Sequence, residues 1–117
     1  MYKFERYTGK YIRGDDKISI QKSGLVRLSA GFCNKTHAMD YNYSVLFYDS
    51  LKKAIAFQFT NLKEEGALRI TKDRNAATIS AKSFISAYHL NSKNNFHRYS
   101  WKKESVPGIG EVFIINL

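Results

Sequence analysis

The same order of sequence patterns occurs twice in this chain of 117 residues. Each copy runs strand, turn, strand, short helix, strand, turn, strand, and the tripeptides Leu-Ser-Ala at 28–30 and Ile-Ser-Ala at 79–81 occupy matching places. This order predicts an internal duplication of a ββαββ unit of about fifty residues. We place unit one at 17–60 and unit two at 67–117, within a single domain that covers 1–117.

Period-two alternation of apolar and polar residues predicts two hairpins in unit one. Residues 18–20 and 25–28 flank a Lys-Ser-Gly turn, in which glycine can adopt positive φ. Residues 43–48 are strongly β-prone, and 54–60 return with alternate apolar residues on one face. Unit one is therefore expected to be mainly strand.

Serines mark the predicted helix starts, since a serine side chain accepts a hydrogen bond from the first turn. Ser29 is expected to cap a helix over 30–37, and Ser80 to precede a helical run over 81–89. The remaining segments of unit two are predicted as strands at 68–70, 77–79, 96–101 and 112–117, with a loop over 104–110.

One such unit alone is too small to bury an adequate core, so the two are expected to fold together. Eight Tyr, eight Phe and one Trp supply much buried area per residue and favour strands. The predicted fold class is mainly β (α+β), a small β-barrel built from two ββαββ repeats with short helices.

Unit one resembles the swapped-hairpin proteins of the AbrB and MraZ type. The resemblance rests on the sequence KSGLVRL at 22–28, a turn with Ser-Gly followed by a strand, and on the hairpin segments 45–48 and 55–57. It covers 17–60, and unit two more loosely. The chain departs from that family in having Ser29 where a proline is usual and in lacking Gly-Asp before the third strand.

The resemblance implies a small β-barrel formed by pairing two units, and often DNA binding by basic residues around the first hairpin. By position, Lys22 and Arg27 would carry that role here. A fused double unit could form the barrel within one chain. Fold analogy by itself gives only an associational argument for function.

Nineteen Lys and Arg stand against ten Asp and Glu, a formal net charge of +9. Nucleic acid is the commonest polyanion that such a surface meets. Acidic proteins, anionic membranes and solubility alone are the alternatives. The sequence favours DNA over RNA as the partner, does not favour a membrane, and leaves a homodimer open.

The first basic cluster is an N-terminal arm or edge strand, residues 1–16, in which basic and aromatic residues alternate. Its cations Lys3, Arg6 and Arg13 are candidates for phosphate contacts, and its rings for base stacking. A strand over 2–7 is an alternative, with the tyrosines packed on the barrel.

The second cluster is on the predicted turns and includes Lys17, Lys22 and Arg27, with Lys72 and Arg74 in unit two. If a pseudo-two-fold axis relates the units, these turns are expected to form one basic surface; otherwise they are ordinary solvated turns.

The third cluster is on the strand predicted at 96–101. Arg98 and Lys102 share one face of that strand, and Tyr99 and Trp101 share the other. The charges are therefore expected to face solvent while the rings fill the core.

The residues offer little for catalysis. No His lies at a metal-ligand spacing from Cys33 or a carboxylate, the acidic pairs do not converge, and the glycines at 108 and 110 lack the Lys of a phosphate loop. We expect no enzyme activity, no metal and no cofactor. Cys33 is interpreted as a buried core residue, and a lone cysteine without an N-terminal apolar run predicts a cytoplasmic protein.

These patterns predict a non-catalytic nucleic-acid-binding module, DNA-binding through basic hairpin turns and a basic-aromatic arm. The alternative is a protein–protein interaction or assembly module of phage or mobile-element origin, in which the arm adds as a strand to a neighbour.

Overall fold

The structure is a computed structural model that describes residues 2–4 and 16–117. In this part of the chain it contains nine strands and two α-helices. The strands are β1 (Ile18–Ile20), β2 (Leu25–Leu28), β3 (Tyr43–Asp49), β4 (Ala54–Thr60), β5 (Leu68–Asp73), β6 (Ala76–Ser80), β7 (Arg98–Tyr99), β8 (Lys102–Val106) and β9 (Gly110–Asn116). The helices are α1 (Ala30–Thr36) and α2 (Lys82–Ala87).

All nine strands belong to one antiparallel sheet in the order β7-β1-β2-β6-β5-β3-β4-β9-β8. The two ends of this order, β7 and β8, are consecutive in the chain, with only Ser100 and Trp101 between them. The sheet therefore curls, so that its two edge strands are joined by this two-residue segment. The expected β-rich, barrel-like fold is confirmed.

The two hairpins predicted in unit one are present, but they are not neighbours in the sheet. The hairpin β1–β2 and the hairpin β3–β4 are separated by β6 and β5. β2 pairs with β6, and β4 pairs with β9. Each hairpin from the first half of the chain is thus extended by hydrogen-bonded pairing with a strand from the second half.

The core lies inside this curl around Phe32, a fully buried side chain from α1. Its ring meets those of Trp101 and Phe113 edge-on, at centroid distances of 5.1 and 5.6 Å. Such edge-to-face contacts are a preferred geometry for aromatic pairs. Tyr99 is buried as well, so both rings of the third cluster point inward as predicted.

The start of α1 follows the sequence prediction. The Ser29 hydroxyl accepts a hydrogen bond from the backbone N–H of Phe32, and the helix ends where His37 adopts φ +59°. Cys33 is buried, as expected. The start of α2 does not follow: Ser80 belongs to β6, and Ala81 precedes the helix without a side-chain cap.

The end of unit two also differs from the prediction. Residues 96–101 contain only the two-residue strand β7, and the predicted loop over 104–110 contains most of β8 and the first residue of β9. β8 is polar and almost wholly exposed, so it lacks the apolar alternation that identifies strands in a sequence. Its pairing with β9 stabilises it.

Residues 2–4 belong to no strand or helix. Most of the predicted arm, including Arg6, Arg13 and the rest of the strand proposed for 2–7, lies outside the described residues. Neither of the described helices is long and apolar enough to cross a membrane.

Candidate nucleic-acid interface

A row of five directly paired residues crosses the sheet from β7 to β5. The pairing runs from Arg98 through Ser19, Arg27 and Thr78 to Thr71. We call these five residues the outer row. Paired residues on neighbouring strands lie about 4.8 Å apart, so the row is about 19 Å long.

The outer row faces away from the core because its sequence neighbours face into it. Ile18, Ile20, Val26, Leu28 and Ile79 flank the row and are 5% exposed or less. Within the row, Arg98, Arg27 and Thr71 are exposed, while Ser19 and Thr78 are half-buried between their neighbours. The result is a low, polar strip that carries two guanidinium groups and no carboxylate.

Further cations border the row on the same face. Lys17 precedes Ser19 by two residues, and Arg69 precedes Thr71 by two, so strand alternation places both on this side. The Lys17 ammonium donates a hydrogen bond of 2.7 Å to the Ser100 hydroxyl. Arg69 is exposed.

Beside one end of β2 the surface forms a cleft of about 520 Å³. The described residues that line it are Arg27, Ser29, Ala30, Asp73, Arg74, Asn75 and Ala76. Arg27 therefore belongs both to the outer row and to this cleft. Arg74, from the tip of the β5–β6 hairpin, lines the same cleft, which is thus shared by the two halves of the chain.

The two predicted turns do not lie side by side. Because β2 and β6 are antiparallel, the β1–β2 turn that carries Lys22 lies at one end of the paired strands and the β5–β6 turn at the other. Lys22 is near the start of α2, where the Ala81 N–H donates to the Gly24 carbonyl at 2.9 Å. Lys72 is on the other face of β5 from Thr71, and its ammonium is 3.5 Å from the Asn42 side-chain oxygen.

The remaining predicted residues lie apart from the outer row. Lys102 forms an ion pair of 3.2 Å with Glu104, and its neighbour Lys103 pairs with Glu111 at 3.3 Å, so carboxylates offset these charges locally. Lys3 is exposed between Tyr2 and Phe4.

Two ionisable groups near this face have shifted pKa values. Burial raises the pKa of the Cys33 thiol from 9.0 to about 11, and the positive charge of Arg27 opposes that shift. A hydrogen bond from Lys35, at 2.8 Å, lowers the pKa of the Asp16 carboxyl. The Asp16 carbonyl also accepts a hydrogen bond from the indole N–H of Trp101, which lies between β7 and β8.

Sequence reasoning overlooked several residues of this surface: Ser19, Arg69, Thr71, Thr78, Ser29, Asp73 and Asn75. For Ser19, Arg69 and Thr78 the alternation with apolar neighbours was visible, and it would have placed Arg69 on the outer side of its strand. Which strands stand next to each other was not visible, and the row exists only through that pairing.

Among the described residues no group of three or more His, Cys, Asp and Glu side chains is arranged to hold a metal ion. Comparison of the chain with protein-family models, with curated proteins and with solved structures finds no match.

Proposed function

We propose that this protein is a nucleic-acid-binding module, for DNA in preference to RNA, and that the outer row is its contact surface. The observation that carries the proposal is the hydrogen-bonded row in which Arg98 and Arg27 project from the same sheet face with only Ser19 between them. Two strand spacings separate the arginines, about 10 Å. In the described part of the chain, the row has no acidic side chain between them.

The chemistry of the row suits a phosphate backbone. Arginine presents several N–H donors in a planar fork that matches phosphate oxygens, and Ser and Thr hydroxyls add further donors. Small side chains between the arginines let a backbone approach the sheet closely. Binding of this kind is mostly independent of sequence and falls as salt rises.

We also propose that the chain is an internal duplication, because this would explain why equivalent strands meet. β2 pairs with its counterpart β6, and β4 with its counterpart β9. Backbone conformation repeats as well: the helices are followed by His37 and His89, both with positive φ, and the turns of the later hairpins carry Lys53 and Gly108, also with positive φ. Units 17–60 and 67–117 then correspond to the two halves of an AbrB-like barrel.

The test is fluorescence anisotropy with labelled duplex and single-stranded DNA across a salt series. We expect affinity to fall steeply with salt. Arg98→Gln and Arg27→Gln should each reduce the salt slope by about one, the loss of one phosphate contact. Lys103→Gln is the matched control, because Lys103 already pairs with Glu111 away from the row.

Absence of binding at low salt would overturn the proposal. So would an equal loss of affinity in the control, because the net charge rather than the row would then be responsible.

A protein partner is the second candidate, and one observation favours it. Tyr2 and Phe4 are 85% and 88% exposed, and their rings stack at 5.6 Å. An exposed aromatic pair is typical of a contact with another protein, although it can also stack on bases. Tyr2→Ser with Phe4→Ser would leave the affinity for DNA unchanged if these rings serve a protein partner, and would lower it if they stack on bases.

A further inference from the structure

The cleft beside β2 exists because the tip of the β5–β6 hairpin extends past the last residue of β2. Leu28 ends β2 and pairs with Ala77, so the hairpin tip, 73–76, lies beyond that end of the strand. The tip lines the cleft together with Ser29 and Ala30 at the start of α1.

Arg74 is an unusual residue for this tip. It has φ +57° at the first of the two central positions between Asp73 and Ala76. Two-residue hairpin loops with positive φ at that position favour glycine, and a side chain there costs stability. Glycine would relieve that strain, so the backbone conformation alone does not account for an arginine here.

Both guanidinium groups of the cleft are available for a ligand. Arg27 and Arg74 line the same cavity, and within the described residues neither forms a hydrogen bond or an ion pair through its side chain. Among the residues that the structure describes, Asp73 has the only acidic side chain that lines the cleft. The cleft thus has an excess of positive charge.

We propose that this cleft binds one nucleoside phosphate unit, with its phosphate held between Arg27 and Arg74. The inference rests on the proposed function and deepens it, because it assigns one nucleotide to a defined place beside Arg27, the middle residue of the outer row. The unit can come from a nucleic-acid strand or from a free nucleotide, since the recognised chemistry is the same.

Size and lining favour a nucleotide over a bare phosphate ion. A cavity of about 520 Å³ lies in the range of small-molecule sites and far exceeds the volume of a single phosphate group. The methyl groups of Ala30 and Ala76 offer apolar contacts for a sugar or base. The Asp73 carboxylate repels phosphate but accepts a hydrogen bond from a base amino group or a sugar hydroxyl.

The test is a titration of isotope-labelled full-length protein, followed by amide NMR, with adenosine 5′-monophosphate, adenosine and inorganic phosphate. We expect the monophosphate to shift the amide signals of Ser29, Ala30 and Asn75, and to bind more tightly than either of the other two. Arg74→Gly should weaken monophosphate binding about tenfold or more, the effect of losing a charge-assisted contact.

The Arg74→Gly variant also answers the concern that a loss of binding reflects misfolding. Glycine suits the positive φ of residue 74, so the variant should melt at the same temperature as the parent or higher. Lys82→Gln is the matched control, since it removes an exposed cation from α2 at the other end of the paired strands. It should leave monophosphate binding within twofold of the parent, about the precision of the titration.

The outcomes separate the two proposals. Equal binding of adenosine, equal binding of inorganic phosphate, or unchanged binding in Arg74→Gly would overturn the cleft assignment, even if DNA binding through Arg98 stands. If DNA fails to bind but the monophosphate binds in an Arg74-dependent manner, the proposed function fails and the cleft is a free-nucleotide site. If DNA binds and Arg74→Gly also lowers its salt slope, a strand supplies the nucleotide.

Discussion

The hydroxyl groups of two buried serines, Ser29 and Ser44, are expected to affect stability in opposite directions. The Ser29 hydroxyl caps α1 by accepting the Phe32 N–H. The Ser44 hydroxyl, near the start of β3, is fully buried and has no hydrogen-bond partner among the described residues. A cap contributes to stability, whereas an unpaired buried hydroxyl opposes it.

Replacing each of these serines with alanine should therefore change the free energy of unfolding differently. Ser29→Ala should lower the free energy of unfolding by about 1 kcal/mol, the usual cost of losing a cap. Ser44→Ala should leave it unchanged or raise it by up to about 1 kcal/mol, because it removes a desolvated group. Urea titrations followed by circular dichroism measure both, and equal destabilisation by the two changes would contradict the assignment.

The Cys33 thiol provides a pH-dependent contribution to stability. Its pKa in the folded state is raised from 9.0 to about 11, chiefly by burial. The folded state therefore favours the neutral thiol, and this contribution is complete below pH 9 and is lost as pH rises through about 11.

We expect the unfolding free energy of the parent protein to fall more steeply between pH 9 and pH 11 than that of Cys33→Ala. The comparison between the two proteins removes the contribution of lysines and tyrosines that titrate in the same interval. A thiol reagent should also react slowly with Cys33 in the native protein at pH 8, since the thiol is 3% exposed. Parallel pH profiles of the two proteins would show that the Cys33 thiol does not contribute to the pH dependence of the unfolding free energy.

At the scale of elements, the contact between the β1–β2 turn and α2 depends on Gly24. Its φ is +86°, and a Cβ atom there would be 2.8 Å from the backbone Cα of Lys82. Gly24 in the Ser-Gly turn thus has two roles. It adopts the positive φ of the turn, and it allows the β1–β2 turn to approach α2 closely.

Gly24→Ala should destabilise the protein by about 3 kcal/mol, because it adds a steric clash to the strain of positive φ. Gly66→Ala is the matched control: Gly66 has φ +81° and no atom within 4 Å of an added Cβ. It should cost about 1 kcal/mol, from φ alone. Thermal unfolding measures both, and similar losses would mean that the approach to Lys82 does not constrain the fold.

At the scale of the whole molecule, neither half of the chain has a connected sheet of its own within residues 16–117. The hairpins β1–β2 and β3–β4 are joined only through β6 and β5, and β9 and β8 pair with the rest only through β4. The shared core around Phe32 takes Phe113 and Trp101 from the second half. Folding should therefore be a single cooperative event.

Residues 1–62 and 67–117, prepared as separate peptides, should each be unfolded and should form the native sheet when mixed. The cut falls in the exposed segment between β4 and β5, so it disrupts no strand. Amide NMR dispersion is the readout for each peptide, and fluorescence of Trp101, the only tryptophan, reports recovery of the core. A well-dispersed spectrum from one peptide alone would contradict this interdependence.

The sequence by itself determined the local elements with strong patterns. Both hairpins of unit one and the capped start of α1 follow from period-two alternation and from Ser29, because these signals arise from neighbouring residues. The same alternation correctly placed Tyr99 and Trp101 inward. It failed at β8, where exposed polar residues form a strand only because β9 lies beside them.

Only the tertiary structure decided which strands meet, and with them the candidate surface. Arg98, Ser19 and Arg27 are distant in sequence or on separate strands, and pairing alone makes them neighbours. The cleft required the antiparallel pairing of β2 with β6, which places the tip of the β5–β6 hairpin beyond the last residue of β2. Alternation records which face of a strand is buried, but the choice of partner depends on packing across the whole core, which no local pattern encodes.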